Sequence, residues 1–223
     1  MGSNPISGTN YKNKKMSESN YRKFYQDIKP PMDLNLHWGE SQTSIGLGYL
    51  LPLVTWHTTP KYVIEIGVFS GFTSDALMHG MTIGGHFTAA DIDEWRLQNV
   101  ANLAKEKYPH LKYDYILGDS KNIDWAAEAS KRGFDRIDVA HIDGDHSYEG
   151  IMGDLKAVTG AIKQKGFIAI HDYAPGHSPV VEAVDKWCID YGFDKIFFPD
   201  KEWKQNYDPH QYNSHGFCLL QKK

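Results

Sequence analysis

The feature that most constrains this chain begins after Pro60, where apolar runs of strand length alternate with segments of helical periodicity. Strands are expected at Tyr62–Ile66, His86–Ala90, Lys112–Leu117, Ile137–Ile142 and Phe167–Ile170. Between them helices are expected at Gly71–His79, Glu94–Tyr108, Ile123–Arg132 and Tyr148–Ile162. Helical crossovers of this length join parallel neighbours through right-handed connections, so the order predicts a doubly wound, mostly parallel α/β sheet. Ligands of such a sheet bind beyond the carboxyl ends of its strands. Ser178-Pro179 opens one more helix, to about Tyr191, with proline in its first turn. Two final strands, Phe193–Phe198 and Gly216–Gln221, flank a polar and aromatic loop and complete a seven-stranded sheet.

At 223 residues the chain fits one domain with an extension. Residues 1–20, rich in Ser, Asn, Gly and Lys, are expected to be a flexible leader. Residues 21–60 are expected to form an N-terminal helical cap, with a helix near Ser44–Trp56, and 61–223 the main domain. A net charge of −4 without a basic block argues against nucleic acid as a partner. The longest mainly apolar stretch, Gly48–Trp56, is broken by Pro52 and is about half of the roughly 18 residues a membrane span needs. Lys12, Lys14, Lys15, Arg22 and Lys23 near the start are followed by no apolar core of a secretory signal, which makes the cytoplasm the expected location. Cys188 and Cys218, in a helix and a strand far apart in sequence, read as reduced, buried thiols. Association into a homo-oligomer stays open.

The first strand runs into Glu65-Ile66-Gly67-Val68-Phe69-Ser70-Gly71. Gly67 permits a tight turn, and Gly71 lets helix and strand approach while backbone N–H groups face a ligand. The second glycine of a dinucleotide fingerprint is missing, which disfavours NAD. Asp91 follows Gly71 by twenty residues at the end of the second strand, where a carboxylate can accept from both hydroxyls of a ribose. Capping of the next helix by Asp91 or Asp93 is the competing reading. Gly118-Asp119-Ser120 ends the third strand, where it can read an adenine edge or cap a helix.

These residues, in order on successive strands, resemble those of class I S-adenosylmethionine-dependent methyltransferases over roughly Tyr62–Lys223. The resemblance implies a Rossmann-like fold with an antiparallel C-terminal strand. It also implies S-adenosylmethionine held by Glu65, Gly67, Phe69, Ser70, Gly71, Asp91, Ile92, Asp119, Ser120 and Asp143.

The densest group of ionisable residues is His141-Ile142-Asp143-Gly144-Asp145-His146 at the fourth strand tip, answered by His171-Asp172-Tyr173 at the fifth. Neighbouring strands would turn Asp143, His171 and Asp172 toward one divalent cation. The alternatives are a capping Asp145 and a His141 buried in its strand with a hydrogen-bonded ring. Ile142–Gly150 with Gly166–Tyr173 is similar to metal-dependent O-methyltransferases of natural-product and sugar pathways, relatives of the catechol type. That likeness implies a metal on Asp143, His171 and Asp172 and a general base at His146. Imidazole at 171 departs from the family's carboxylate or amide and favours softer ions such as manganese, iron, nickel or zinc over the family's magnesium, so the expected cation, magnesium or manganese, is not fixed by the sequence. The acceptor would be a small molecule, walled by candidates His37, Trp38, His57, Tyr173 and the Trp203–Tyr212 loop. Rival readings are cyclisation or aminocarboxypropyl transfer from the same cofactor, a metal-dependent glycosyltransferase or hydrolase, and a non-catalytic binding protein.

Overall fold

A computed structural model describes residue 51, residues 54–199 and residues 216–222. Its elements are β1 (Tyr62–Ile66), α1 (Phe72–His79), β2 (His86–Asp91), α2 (Glu94–Lys107), β3 (Lys112–Leu117), α3 (Trp125–Lys131), β4 (Ile137–Ile142), α4 (Tyr148–Thr159), β5 (Ile162–His171), α5 (Ser178–Tyr191), β6 (Asp194–Pro199) and β7 (Gly216–Gln221). Short 3-10 turns occupy Ser120–Asn122 and Pro175–His177. The leader, nearly all of the cap, His37, Trp38 and the Trp203–Tyr212 loop lie outside the described residues; residues 54–58 are helical.

The sheet runs β3-β2-β1-β4-β5-β7-β6. Its first five strands are parallel, and β7 is antiparallel to both β5 and β6. Strands covered on both faces read as mainly apolar runs, and every residue of β1 and β2 is buried, Glu65, His86, Thr88 and Asp91 among them. β3 lies at one edge and mixes exposed with half-buried positions. Tyr62, Ile64, Ile142, Ile151, Leu155, Ile168, Ile170 and Trp187 belong to one continuous core joining the sheet to its covering helices. Strand order reverses between β1 and β4, which opens a crevice beyond their carboxyl ends.

Caps decide where helices start. Asp93 accepts from Trp95 and Arg96 N–H and begins α2; Asp124 accepts from Ala127 N–H and begins α3 two residues later than the periodicity suggests. Ser147 caps α4 by accepting from Gly150 N–H at 3.0 Å. The fifth strand differs most from expectation. It starts at Ile162 instead of Phe167, α4 stops at Thr159, and pairing with β4 jumps from Ile162 to Phe167. The jump is a bulge in which Lys165 takes φ +61°. Among the described residues no helix is long and apolar enough to cross a membrane.

Candidate functional site

Register places the site. Ile66 of β1 pairs with Ile142 of β4, which pairs with Ile170 of β5, so the residues that follow, Gly67, Asp143 and His171, emerge side by side. Asp143 N–H donates to Ile66 O at 2.8 Å. The two turns touch so closely that a Cβ on Gly67 would lie 2.2 Å from the Asp143 carbonyl oxygen. Gly67 also has φ +79°, so this position requires glycine on both counts.

A cavity of about 610 Å³ spreads across these tips. Its walls carry Gly67, Phe69, Ser70, Asp91, Ile92, Asp119, Ser120, Asp143, His146, His171 and Asp172, all singled out from the sequence. Two expected cofactor residues do not reach it. Glu65 is fully buried inside β1, where it accepts from the Ser74 hydroxyl of α1. A residue within a strand points to a face of the sheet; only residues at or past its end look into the crevice. Gly71 is the N-cap of α1, packed with its would-be Cβ 3.1 Å from Val100 Cγ2. Burial raises the Glu65 pKa, with His141 and Ser74 opposing it. His141 is buried as expected, but its ring makes no aligned hydrogen bond among the described residues; Nδ1 lies 3.4 Å from Glu65 Oε1.

At one end of the cavity Asp91 is tied down by Val68 N–H on Oδ2 and Asp93 N–H on Oδ1, both at 2.9 Å. Each oxygen keeps a second lone pair for a ligand. The guanidinium of Arg96 sits 4.9 Å above the Phe69 ring, whose residue holds φ +35°. Asp119 accepts from Lys121 N–H at 3.0 Å, and the Ser120 hydroxyl donates to Asp154 on α4.

At the other end two carboxylates interleave with imidazoles. Asp143 Oδ1 lies 3.0 Å from His146 Nε2 and 3.1 Å from His171 Nδ1. Asp172, held at φ +55°, places Oδ1 3.3 Å from His171 Nδ1 and Oδ2 3.2 Å from His146 Nδ1. Burial works against charge at both Asp143 and His171, yet mutual attraction wins: the Asp143 carboxyl is held below its ordinary range and the His171 imidazole above its own. The hydrogen bond that Asp143 accepts likewise raises the His146 pKa, against a smaller effect of burial. Asp145 does not cap α4; its Oδ1 accepts from Ser147 N–H at 3.0 Å, just before the helix.

A family model for a methyltransferase domain matches residues 64–173. Residues 64–173 form a methyltransferase domain. Solved structures share the fold of this chain. An O-methyltransferase from Bacillus cereus in complex with S-adenosylhomocysteine (SAH) superposes with TM-score 0.63 at 13% identity, over 92% of this chain and 97% of that one. The O-methyltransferase TomG from Streptomyces achromogenes, involved in tomaymycin synthesis and in complex with S-adenosylmethionine, gives TM-score 0.65 at 11% identity, over 93% and 100%. SAH-bound methyltransferase PaMTH1 from Podospora anserina gives 0.62 at 14%, over 100% of both chains. No curated protein sequence matches this chain.

Several cavity residues escaped the sequence reading: Arg96, Lys121 and Asp154. Asp154 carried a signal, because it falls among Gly150, Ile151, Leu155 and Val158 on the buried stripe of α4, where periodicity asks for an apolar residue. Burial raises its pKa to about 6, against the Ser120 hydroxyl and Lys121. Of the proposed acceptor wall, His57 and Tyr173 do not line the cavity; the Tyr173 hydroxyl donates to Asp185 at 2.6 Å and its ring lies under the Lys195 ammonium.

Proposed function

We propose that this methyltransferase moves the methyl group of S-adenosylmethionine to a hydroxyl of a small-molecule acceptor, in the cytoplasm, with a divalent cation held by Asp143, His171 and Asp172. One observation carries the reading: a single cavity is lined by the glycine turn, by Asp91 and by Asp143, His146, His171 and Asp172. The thiols of Cys188 and Cys218 are free, in keeping with a reducing compartment.

The donor set fits a metal. His171 Nδ1 lies 3.1 Å from Asp143 Oδ1 and 3.3 Å from Asp172 Oδ1, separations that bonds of about 2.0–2.2 Å to one ion can span. Two carboxylates suit magnesium or manganese, and the imidazole shifts preference toward manganese and later ions. When bound, such an ion lowers the pKa of an acceptor hydroxyl.

The chain's own residues do the rest. Val68 N–H and Asp93 N–H fix Asp91 so that its free lone pairs accept ribose hydroxyls. Asp119 and Ser120 stand at the cavity wall where the base would lie. The sulfonium methyl is already activated, so holding the acceptor oxygen in line with the S–CH3 bond is the main task. His146, in its neutral form, takes the hydroxyl proton on the ring nitrogen that is not donating to a carboxylate.

Calorimetric titration with S-adenosylmethionine, with and without chelator, followed by mass spectrometry over a panel of hydroxylated acceptors, tests the reading. SAH together with a methylated acceptor supports it. Methylthioadenosine as product, or binding of a sugar nucleotide in place of S-adenosylmethionine, overturns it.

A further inference from the structure

Across Asp172 from His171 stands a second donor set. Asp172 Oδ2 faces His146 Nδ1 at 3.2 Å and His177 Nε2 at 3.8 Å. One ligand atom from each of His146, Asp172 and His177 lies within 4.8 Å of the other two. The two rings cross at 88° with centroids 5.8 Å apart, so they do not stack and each keeps a nitrogen edge toward the carboxylate.

The backbone supports this arrangement independently. His177 is the N-cap residue of α5, a position where Ser, Asp or Asn would accept from the helix's first N–H groups, yet its side chain makes no capping hydrogen bond. Asp172 sits at φ +55°, an unfavourable conformation for a residue with a Cβ, and its two oxygens look to different partners: Oδ1 to His171, Oδ2 to His146 and His177.

We propose that His146, Asp172 and His177 form an inhibitory site for a borderline divalent cation such as zinc, cobalt or nickel, which shares Asp172 with the set of Asp143, His171 and Asp172 and draws its two other ligands from elsewhere. Two imidazoles and one carboxylate favour these ions over magnesium or calcium, which prefer oxygen. Side chains of His146 and His177 are 40% and 29% exposed, so an ion reaches them without unfolding the strand tips. The inhibitory role rests on the reading of His146 as general base, since an ion on its ring nitrogen occupies the lone pair that would take the acceptor's proton.

Cobalt alone is the probe, titrated into the full-length protein, His171→Asn and His177→Ala by equilibrium dialysis and visible absorption. SAH binding by calorimetry on the same samples reports an intact fold. His171→Asn takes the imidazole out of the first set and leaves the second set intact, so it should retain a cobalt-binding step with imidazole-type absorption. His177→Ala should weaken that step by about tenfold or more, since even partners behind a ligand cost about 10- to 100-fold. Methyl transfer by the unmutated chain should fall under excess zinc, and the His177→Ala protein should resist. A His177→Ala titration matching the unmutated protein, a His171→Asn protein that binds SAH but no cobalt, or equal zinc inhibition in both proteins overturns the site. Failure of the unmutated chain to bind SAH overturns the methyl-transfer reading and the inhibitory consequence, and leaves the cobalt step to be judged by itself.

Discussion

Replacing Gly67 by alanine strikes where the β1 and β4 turns meet. The new Cβ would sit 2.2 Å from the Asp143 carbonyl oxygen and 2.6 Å from its carbon, backbone atoms that cannot swing aside. Two costs follow. Alanine in the left-handed conformation costs about 1–2 kcal/mol, and forcing two packed backbones apart costs about 1–3 kcal/mol. Gly133 separates them: it has φ +83° and nothing within 4 Å of its would-be Cβ, so Gly133→Ala carries the first cost alone. Urea unfolding should therefore show Gly67→Ala less stable than Gly133→Ala by about 1–3 kcal/mol, a sizeable part of a total stability of about 5–15 kcal/mol. Because the displaced atoms belong to Asp143, SAH affinity measured by calorimetry should drop in Gly67→Ala and hold in Gly133→Ala. Equal destabilisation of the two variants, or unchanged SAH affinity in Gly67→Ala, would refute the reasoning that this contact sets the spacing of the site.

His146→Ala should slow turnover by about 10²–10⁴ while SAH affinity stays nearly constant, read from steady-state kinetics and calorimetry. Asp154→Asn keeps a carbonyl oxygen for the Ser120 hydroxyl and removes a buried carboxylate whose pKa is raised to about 6, so the variant should be more stable by about 1–3 kcal/mol at pH 8, with the gain gone near pH 4 in denaturation series. His171 gains its raised pKa from Asp143 and Asp172 against burial, so its contribution to stability is full below about pH 6.5 and lost as pH rises through the folded value. In chelator, thermal melts of the unmutated protein should therefore fall on the alkaline side more steeply than those of His171→Asn. Asp143 has the opposite sign: its contribution is present above about pH 3.8 and is lost as acid protonates the folded carboxylate.

The five parallel strands were legible because a strand covered on both faces is mostly apolar, as Tyr62–Ile66 is apart from Glu65 and Ile137–Ile142 is apart from Asp138 and His141. The start of β5 was not, because Lys163, Gln164 and Lys165 are polar and their departure from the β4 ladder is a backbone event with no signature in hydropathy. The same distinction runs through the site. Residues that end a strand or follow it, such as Asp91, Asp143 and Asp172, can be placed from sequence once strand boundaries are known, because the register of a parallel sheet carries them to one edge. Glu65 shows the limit of that rule: one position inside the strand end, it turns to a sheet face and pairs with Ser74 in place of a ligand.

Residues that helices bring to the cavity follow a different logic. Asp154 was readable as a charge on the buried stripe of α4, although hydropathy alone cannot say that Ser120 would meet it. His177 carried no such mark. Its place beside Asp172 follows from the turn between β5 and α5, whose backbone folds Ala174 N–H onto Asp172 O at 2.8 Å and His177 N–H onto Ala174 O at 2.8 Å. Those two bonds carry the chain from the strand tip back over the carboxylate, so a side chain six residues after His171 reaches Asp172 Oδ2. A substitution that loosens this turn, such as Ala174→Gly, should therefore weaken cobalt binding at His146, Asp172 and His177 more than it changes SAH affinity, and dialysis beside calorimetry would expose equal losses if the turn served only the fold.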